Sequence, residues 1–463
     1  MDLYNIDLKG LIARYRYLVS FIVILIVTAV IIQKYIHDNV INKGIQRDSI
    51  IFGQTLPLTG PLKNYGLSYN LGYILAFQSV NRINGVNGKR IEIITYDDEY
   101  NPKYALENVQ ILNEYFDLFA IVGTIGTPTT AAISKYLVDR NLLMLQPYTG
   151  SSTIRGVFNE NIIHTRASYY DEISSIVDMI LKTKIKNVSV FYQNDSFGLS
   201  ILDDLDYYIN KKNLNRHFNI ISKGNYERNS YFIEDAIKSI LQVNHIYDLN
   251  DVRKSEHLRK LEAIITIGTA AQTSELIKYF KNLKPDIHIM CISFSNIDDV
   301  EKDLVTFDKS RLSNIYSTQV VPQLKISHPT IYNKLLEEIE FMKKKKTYDS
   351  TGAQVVHDYT INNIMIEGFL NGLFIIELLK KMGDNLTRDN LKKTLYNNRY
   401  IQLDGIKYGP FYKPSTCTDL QLSVDACPCN VGYRYVYIYK YNSTSRKFEY
   451  VKNTGHLSSC NRY

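Results

Sequence analysis

The chain has 463 residues, too many for one ordinary domain and enough for two α/β lobes with a further segment. Hydrophobic residues make up 45% and charged residues 22%, which excludes a globally disordered chain. The formal charge of +7 is spread thinly. Its one dense basic run, Lys343–Lys346, ends a helical stretch, so a solvated helix end is expected there and no nucleic-acid partner.

In chain order, residues 1–16 form a short tail before residues 17–33, which carry no charge and are mostly Ile, Val, Leu and Phe. No small-residue cleavage site follows, because Thr28 and Ala29 lead into Val30 and Ile31. No cysteine follows closely either, as a lipoprotein signal would require. The expectation is an uncleaved transmembrane signal-anchor, hence a single-pass membrane protein with its C-terminal domain extracytoplasmic or lumenal.

From residue 50 short apolar runs alternate with amphipathic stretches. Strands are expected at 50–56, 90–96, 119–122 and 142–145, with helices at 66–84, from Asn101-Pro102, and at 127–139 between them. The rhythm restarts with a connecting strand at 161–164 and a helix at 170–182. A strand at 187–192 and a helix at 197–211 follow, then strands at 217–222 and 263–268 around a helix at 230–242. Residues 243–262 read as a charged surface insertion. A long apolar helix at 364–380, a shorter one at 386–396 and a Tyr-rich strand at 433–441 close the pattern. Such alternation implies right-handed βαβ crossovers and parallel sheets, an α/β chain of two doubly wound, Rossmann-like halves behind the N-terminal transmembrane helix.

Cys291 lies in an apolar run and is expected as a buried core thiol. Cys417, Cys427, Cys429 and Cys460 crowd the C-terminus and suit disulfides in an oxidising compartment. One residue separates Cys427 from Cys429, so each is expected to pair with Cys417 or Cys460. A zinc site is the competing reading, although the paired C-x₂-C knuckles are missing. Sequons at Asn187, Asn194, Asn385 and Asn442 are compatible with an exported glycoprotein.

The sequence has no G-x-G-x-x-G, Walker A, G-x-S-x-G or H-E-x-x-H motif, and its nine histidines are scattered. No enzyme, catalytic residue, cofactor or metal is therefore expected. Asp97-Asp98-Glu99 reads as a solvated loop. Two loops say more: Gly123–Thr130 and Pro147–Thr153 both leave strand ends and are rich in Gly, Ser and Thr. Ligands of open α/β sheets sit beyond such ends, and a helix start there favours an anion such as a carboxylate. The plainer alternative is that Thr127, Thr129 and Ser151 only cap helices.

A run of segments then carries a resemblance. They are Leu58-Thr-Gly-Pro61 with Tyr65-Gly66, Asn84-Gly-Val-Asn-Gly88, Tyr96-Asp-Asp-Glu99, Ile121-Val-Gly123 with Gly126-Thr-Pro128, and Pro147-Tyr-Thr-Gly150. Arg166-Ala-Ser-Tyr169, Phe191-Tyr-Gln193 with Phe197-Gly198, Tyr226-Glu-Arg-Asn229, Ile267-Gly268 and Thr318-Gln-Val-Val-Pro322 continue it. In this order they resemble the branched-chain amino acid (Leu/Ile/Val) substrate-binding proteins of ABC transporters, whose type I periplasmic-binding fold is shared with receptor ligand-binding regions. The resemblance implies lobe 1 from 48–165 plus 322–395 and lobe 2 from 166–321 plus 396–463. Three crossovers would join them, with the ligand in the cleft and closure by hinge motion.

The resemblance further implies that Thr127 and the loop Thr149, Gly150 and Ser151 hold a ligand carboxylate. Tyr65 and Phe197 would supply aromatic walls, and the loop of Ala270 a contact from lobe 2. The family sets a lobe-2 acid against the ligand ammonium, but Ser293–Asn296 has no carboxylate. Either another acid such as Asp195 serves, or the ligand is an amide, short peptide or other carboxylate. The expected function is membrane-anchored binding of a small amino acid-like ligand. Alternatives are a receptor-like ectodomain, lost binding function and, less favoured, an enzyme. Expected partners are that ligand, the membrane, a transporter or receptor subunit, and a second copy through lobe 1.

Overall fold

The computed structural model describes residues 15, 19–31, 48–116, 118–345, 357–421, 427 and 429–455. Most of the expected 1–16 tail and Cys460 lie outside the described residues. The first sheet holds β1 (Ser49–Leu56), β2 (Arg90–Asp97), β3 (Ala120–Val122), β4 (Leu143–Leu145) and β5 (Ile162–Ile163). Their order is β2-β1-β3-β4-β5, all parallel. The second holds β6 (Asn187–Gln193), β7 (Asn219–Tyr226), β8 (Ala263–Ile267), β9 (His288–Cys291) and β10 (Ile315–Gln319) in the equivalent order β7-β6-β8-β9-β10. A small hairpin, β11 (Ile401–Leu403) with β12 (Ile406–Tyr408), stands apart. β13 (Tyr435–Asn442) and β14 (Lys447–Gly455) extend the second sheet antiparallel from β10.

β1 is buried along its whole length because helices cover both faces of the sheet. Ile50 and Phe52 join a core that continues through both lobes, and Ile51 points to a smaller core beneath Ala105, Val109 and Ile133. The chain leaves the first lobe after β5 and returns after β10, where Arg82 pairs with Glu338 at 2.9 Å. It crosses again beside the first crossing, His164 N–H donating to the Asn430 carbonyl at 3.0 Å.

Two expectations need correction, the membrane helix and the C-terminal lobe boundary. Residues 19–31 are helical and exposed, but among the described residues no helix is long and apolar enough to cross a membrane. On that ground the single-pass membrane location expected from the sequence is withdrawn. The insertion at 243–262 carries two short helices, Leu249–Arg253 and Glu256–Lys260. The β11–β12 hairpin packs on the first-lobe side, with Tyr408 5.3 Å from Phe374 of the helix Asn363–Met382. The second sheet therefore takes up the C-terminal remainder near Tyr435 and not at 396. Cys417 and Cys427 form a disulfide with 5.6 Å between their Cα atoms, and Cys291 is a buried free thiol.

Each lobe opens the helix after the first long strand of its sheet with an aromatic–glycine pair. A Cβ on Gly66 would stand 2.0 Å from the Pro57 carbonyl oxygen, and one on Gly198 2.0 Å from that of Gln193. Both helices, Lys63–Asn81 and Ser196–Lys211, thus rest directly on the backbone leaving β1 and β6. That seating sets Tyr65 and Phe197 at the facing ends of the lobes. Gly66→Ala and Gly198→Ala are each expected to lower stability by about 1–3 kcal/mol through overpacking. Urea unfolding would measure this, and unchanged midpoints would refute the seating.

Candidate ligand site between the lobes

In both sheets the strand order reverses beside the first strand, between β1 and β3 and between β6 and β8. Loops beyond such reversals diverge and leave room for a ligand. Tyr65, Thr127, Phe197 and Ala270 follow the strands at these reversals, Thr149, Gly150 and Ser151 follow the adjacent β4, and all seven are buried.

Gly126, at φ 98°, turns the chain into the helix Thr127–Asp139. The Thr127 hydroxyl caps nothing and lies 2.8 Å from the Thr149 hydroxyl. Ser151 caps the four-residue helix Ser152–Arg155, and its hydroxyl reaches Ser200 of the second lobe at 2.9 Å. The capping alternative therefore describes Ser151 but not Thr127. Gly150 faces the start of the helix Tyr169–Lys182 so closely that a Cβ would stand 2.6 Å from the Tyr169 nitrogen. The Tyr169 hydroxyl is buried beside Thr149 without a well-formed hydrogen bond. An orphaned buried donor among hydroxyl-bearing strand tips is the feature a ligand oxygen would satisfy.

Across the interface, the Tyr65 hydroxyl donates to the Phe294 carbonyl at 2.8 Å and accepts from the Ala270 N–H at 3.2 Å. Burial pushes its pKa well above the ordinary range, so it remains a donor. Further hydrogen bonds join the lobes at Ser152–Asp204 (2.6 Å), Gln193–Tyr100 (3.4 Å) and Asn229–Glu99 (3.3 Å). Asp298 accepts from the backbone and side chain of Asn363, at 2.9 and 3.0 Å. Asp195, the candidate ammonium partner, is engaged otherwise. It accepts from the Phe197 N–H at 3.0 Å and from the Gln193 side chain at 2.8 Å, with Arg228 at 3.5 Å.

Sequence reading missed the residues that organise the crossing. Arg166, at the first crossover, donates to Ser293 Oγ at 2.7 Å, lies 3.5 Å from Glu367 and stacks 4.1 Å over the Tyr148 ring. Glu172 accepts from the Ser293 N–H at 2.7 Å, from its hydroxyl at 2.8 Å and from Thr318. One signal was available: Glu367 is an acid inside an otherwise apolar helical run. Burial raises the pKa of both carboxyls against the pull of Arg166, that of Glu367 to about 7.

Two doubly wound lobes of matching strand order, crossed three times and facing each other across aromatic and hydroxyl-bearing loops, define the type I periplasmic-binding-protein class. Residues 49–227 match the family described as periplasmic binding protein. Leu/Ile/Val-binding protein homolog 3 of Brucella melitensis is 27% identical over 180 residues, 38% of this chain and 48% of that protein. The chain thus spans less than half the length of the curated relatives it matches. A possible leucine/isoleucine/valine-binding protein from Rhodopirellula baltica superposes with a TM-score of 0.70 at 20% identity, over 88% of this chain and 96% of that one. A branched-chain amino acid ABC transporter protein from Thermus thermophilus with bound valine gives 0.66 at 12%, over 90% and 98%. The chain has the type I periplasmic-binding fold, and residues 49–227 match the periplasmic binding protein family in sequence.

The pKa of Glu367 implies a pH dependence. Its folded value of about 7 exceeds the unfolded value of about 4.3, so its contribution to stability is complete below about 4.3 and lost as pH rises through 7. Glu367→Gln should flatten the fall in stability across that window. Arg166→Met, leaving two acids buried without their cation, should cost about 3–5 kcal/mol at neutral pH. Unfolding at a series of pH values reads both, and a Glu367→Gln profile parallel to wild type would contradict the assignment.

Proposed function

We propose that this protein binds a small carboxylate ligand, an amino acid or a related acid or amide, between its two lobes. The observation that carries the reading is the orphaned Tyr169 hydroxyl beside Thr149, with Thr127 and Ser151 on the neighbouring strand ends. Thr127, Thr149 and Ser151 hydroxyls that bond one another can turn to a carboxylate when the lobes part, aided by the start of the helix Thr127–Asp139. Tyr65, Phe197 and the Ala270 loop complete the enclosure. The relatives named for leucine, isoleucine and valine, and the valine-bound neighbour, support a ligand of that size. Such proteins bind without chemistry, and a transporter or receptor subunit is the partner that would use the closed form.

A thermal-shift and calorimetry panel tests this with valine, leucine, isoleucine, their amides and the matching acids without an amine. A bound ligand at a hundred times its Kd stabilises by about 2.7 kcal/mol. Thr127→Ala is expected to weaken binding roughly tenfold to a hundredfold, the worth of a hydrogen bond to a charged group. Tyr169→Phe should leave the melting temperature of the free protein unchanged or higher, since it removes an unsatisfied hydroxyl, while reducing the ligand response. Identical ligand responses in wild type and both variants would reject the site.

A further inference from the structure

The loop Ser293–Ser295 after β9 delivers one ring into the middle of the interface. Phe294 is fully buried, with its ring centroid 4.6 Å from that of Phe197, 5.6 Å from Tyr65 and 5.8 Å from Tyr148. Tyr65 and Tyr148 belong to the first lobe and Phe294 to the second, so the ring crosses the cleft. Phe197 packs in turn on Tyr169 at 5.5 Å, which ties the cluster to the hydroxyl-bearing tips. The ring is also fixed from behind. Its neighbour Ser293 is clamped by Glu172 and Arg166, its own carbonyl accepts from Tyr65, and Ser295 donates to the Gly268 carbonyl at 3.0 Å. A side chain so held on both flanks has no room to swing aside while the lobes stay shut.

We propose that Phe294 is the specificity-determining residue of the cleft: the protein carries its own ring into the aromatic cage, so the cleft admits a compact carboxylate beside that ring and excludes ligands with bulky or aromatic side chains. This rests on the reading of the interface as a carboxylate site. No unengaged acid meets a ligand amine among the contacts described: Glu172 and Glu367 are spent on Ser293 and Arg166, Asp195 on its own helix start, and Asp298 on Asn363. The ligand chemistry favoured is therefore a short aliphatic acid without a cationic group. Closure needs little from such a ligand, because the apolar contact between the lobes is made by the protein itself.

Phe294→Ala tests this, since it would leave an apolar space the size of a ring, and apolar spaces of that kind take up small aromatics. Three probes are used with wild type and variant: isobutyrate, phenylacetate and benzyl alcohol. Wild type should respond to isobutyrate and not to phenylacetate. The variant should melt several degrees lower, bind phenylacetate at least tenfold more tightly than wild type does, and regain part of its melting temperature with benzyl alcohol. Phenylacetate binding equally to both proteins would overturn the proposal, as would a variant to which neither aromatic binds. Recovery with benzyl alcohol but no preference for phenylacetate would uphold the ring's position and overturn the carboxylate reading, so the two failures are distinct. Phe294→Leu, which keeps more apolar volume, serves if the alanine variant does not fold, with the same gain for phenylacetate at smaller size.

Discussion

Arg166 is the interaction on which the rest of the arrangement depends. It lies where the chain first leaves one lobe for the other, buried, with a carboxyl on one side, a serine hydroxyl on the other and a tyrosine face beneath. A buried guanidinium is costly unless compensated, and here two acids exceed the compensation it needs. The surplus negative charge is relieved because burial raises Glu367 to about 7, so the cluster approaches neutrality by holding a proton near physiological pH. Through Ser293 the same cluster fixes the loop that carries Phe294. Electrostatics at the crossover and ring packing at the cleft are therefore one mechanical unit.

The polar side of the interface follows a different logic. Hydrogen bonds between Thr127 and Thr149, and between Ser151 and Ser200, replace bonds to water and contribute little net free energy. They can be exchanged for bonds to a ligand at small cost, whereas the aromatic contacts cannot be exchanged without uncovering apolar surface. The interface thus combines a strong apolar contact with weak, replaceable polar ones.

How much of this could be read beforehand depends on whether a residue's role is local. The strands Ser49–Leu56, Asn187–Gln193 and Ala263–Ile267 are short apolar runs bounded by turn residues, so their burial on both faces is written into their composition. β10 is less apolar, and its place in the sheet comes from β9 on one side and β13 on the other, so local pattern did not reveal it. The pairing of Tyr435–Asn442 with Lys447–Gly455 likewise rests on a partner strand that alternates weakly. At the site, Thr127, Gly150 and the aromatic–glycine pairs were legible because glycine and hydroxyl residues at strand ends have few other uses there. Phe294, Glu172 and Glu367 read as an ordinary core ring and helix acids, and acquire their roles only when residues more than a hundred positions apart meet.

The two lobes repeat one strand order and one aromatic–glycine helix start, yet they meet the cleft with unlike chemistry. The first lobe presents the hydroxyls of Thr127, Thr149 and Ser151 beside the rings of Tyr65 and Tyr148, and the second presents the wholly apolar Phe197 and Phe294. On the function proposed above, a carboxylate would engage the first lobe while the cleft is open and its polar tips are hydrated, because those groups are already oriented by helix starts. The second lobe would then close over it with rings that need no directional partner. The order follows from the physics of the two surfaces: directional groups select before closure, and apolar burial, which is non-directional, holds afterwards. The clamp of Glu172 on Ser293 lies within the second lobe, so the loop that carries Phe294 is already set when the lobes meet.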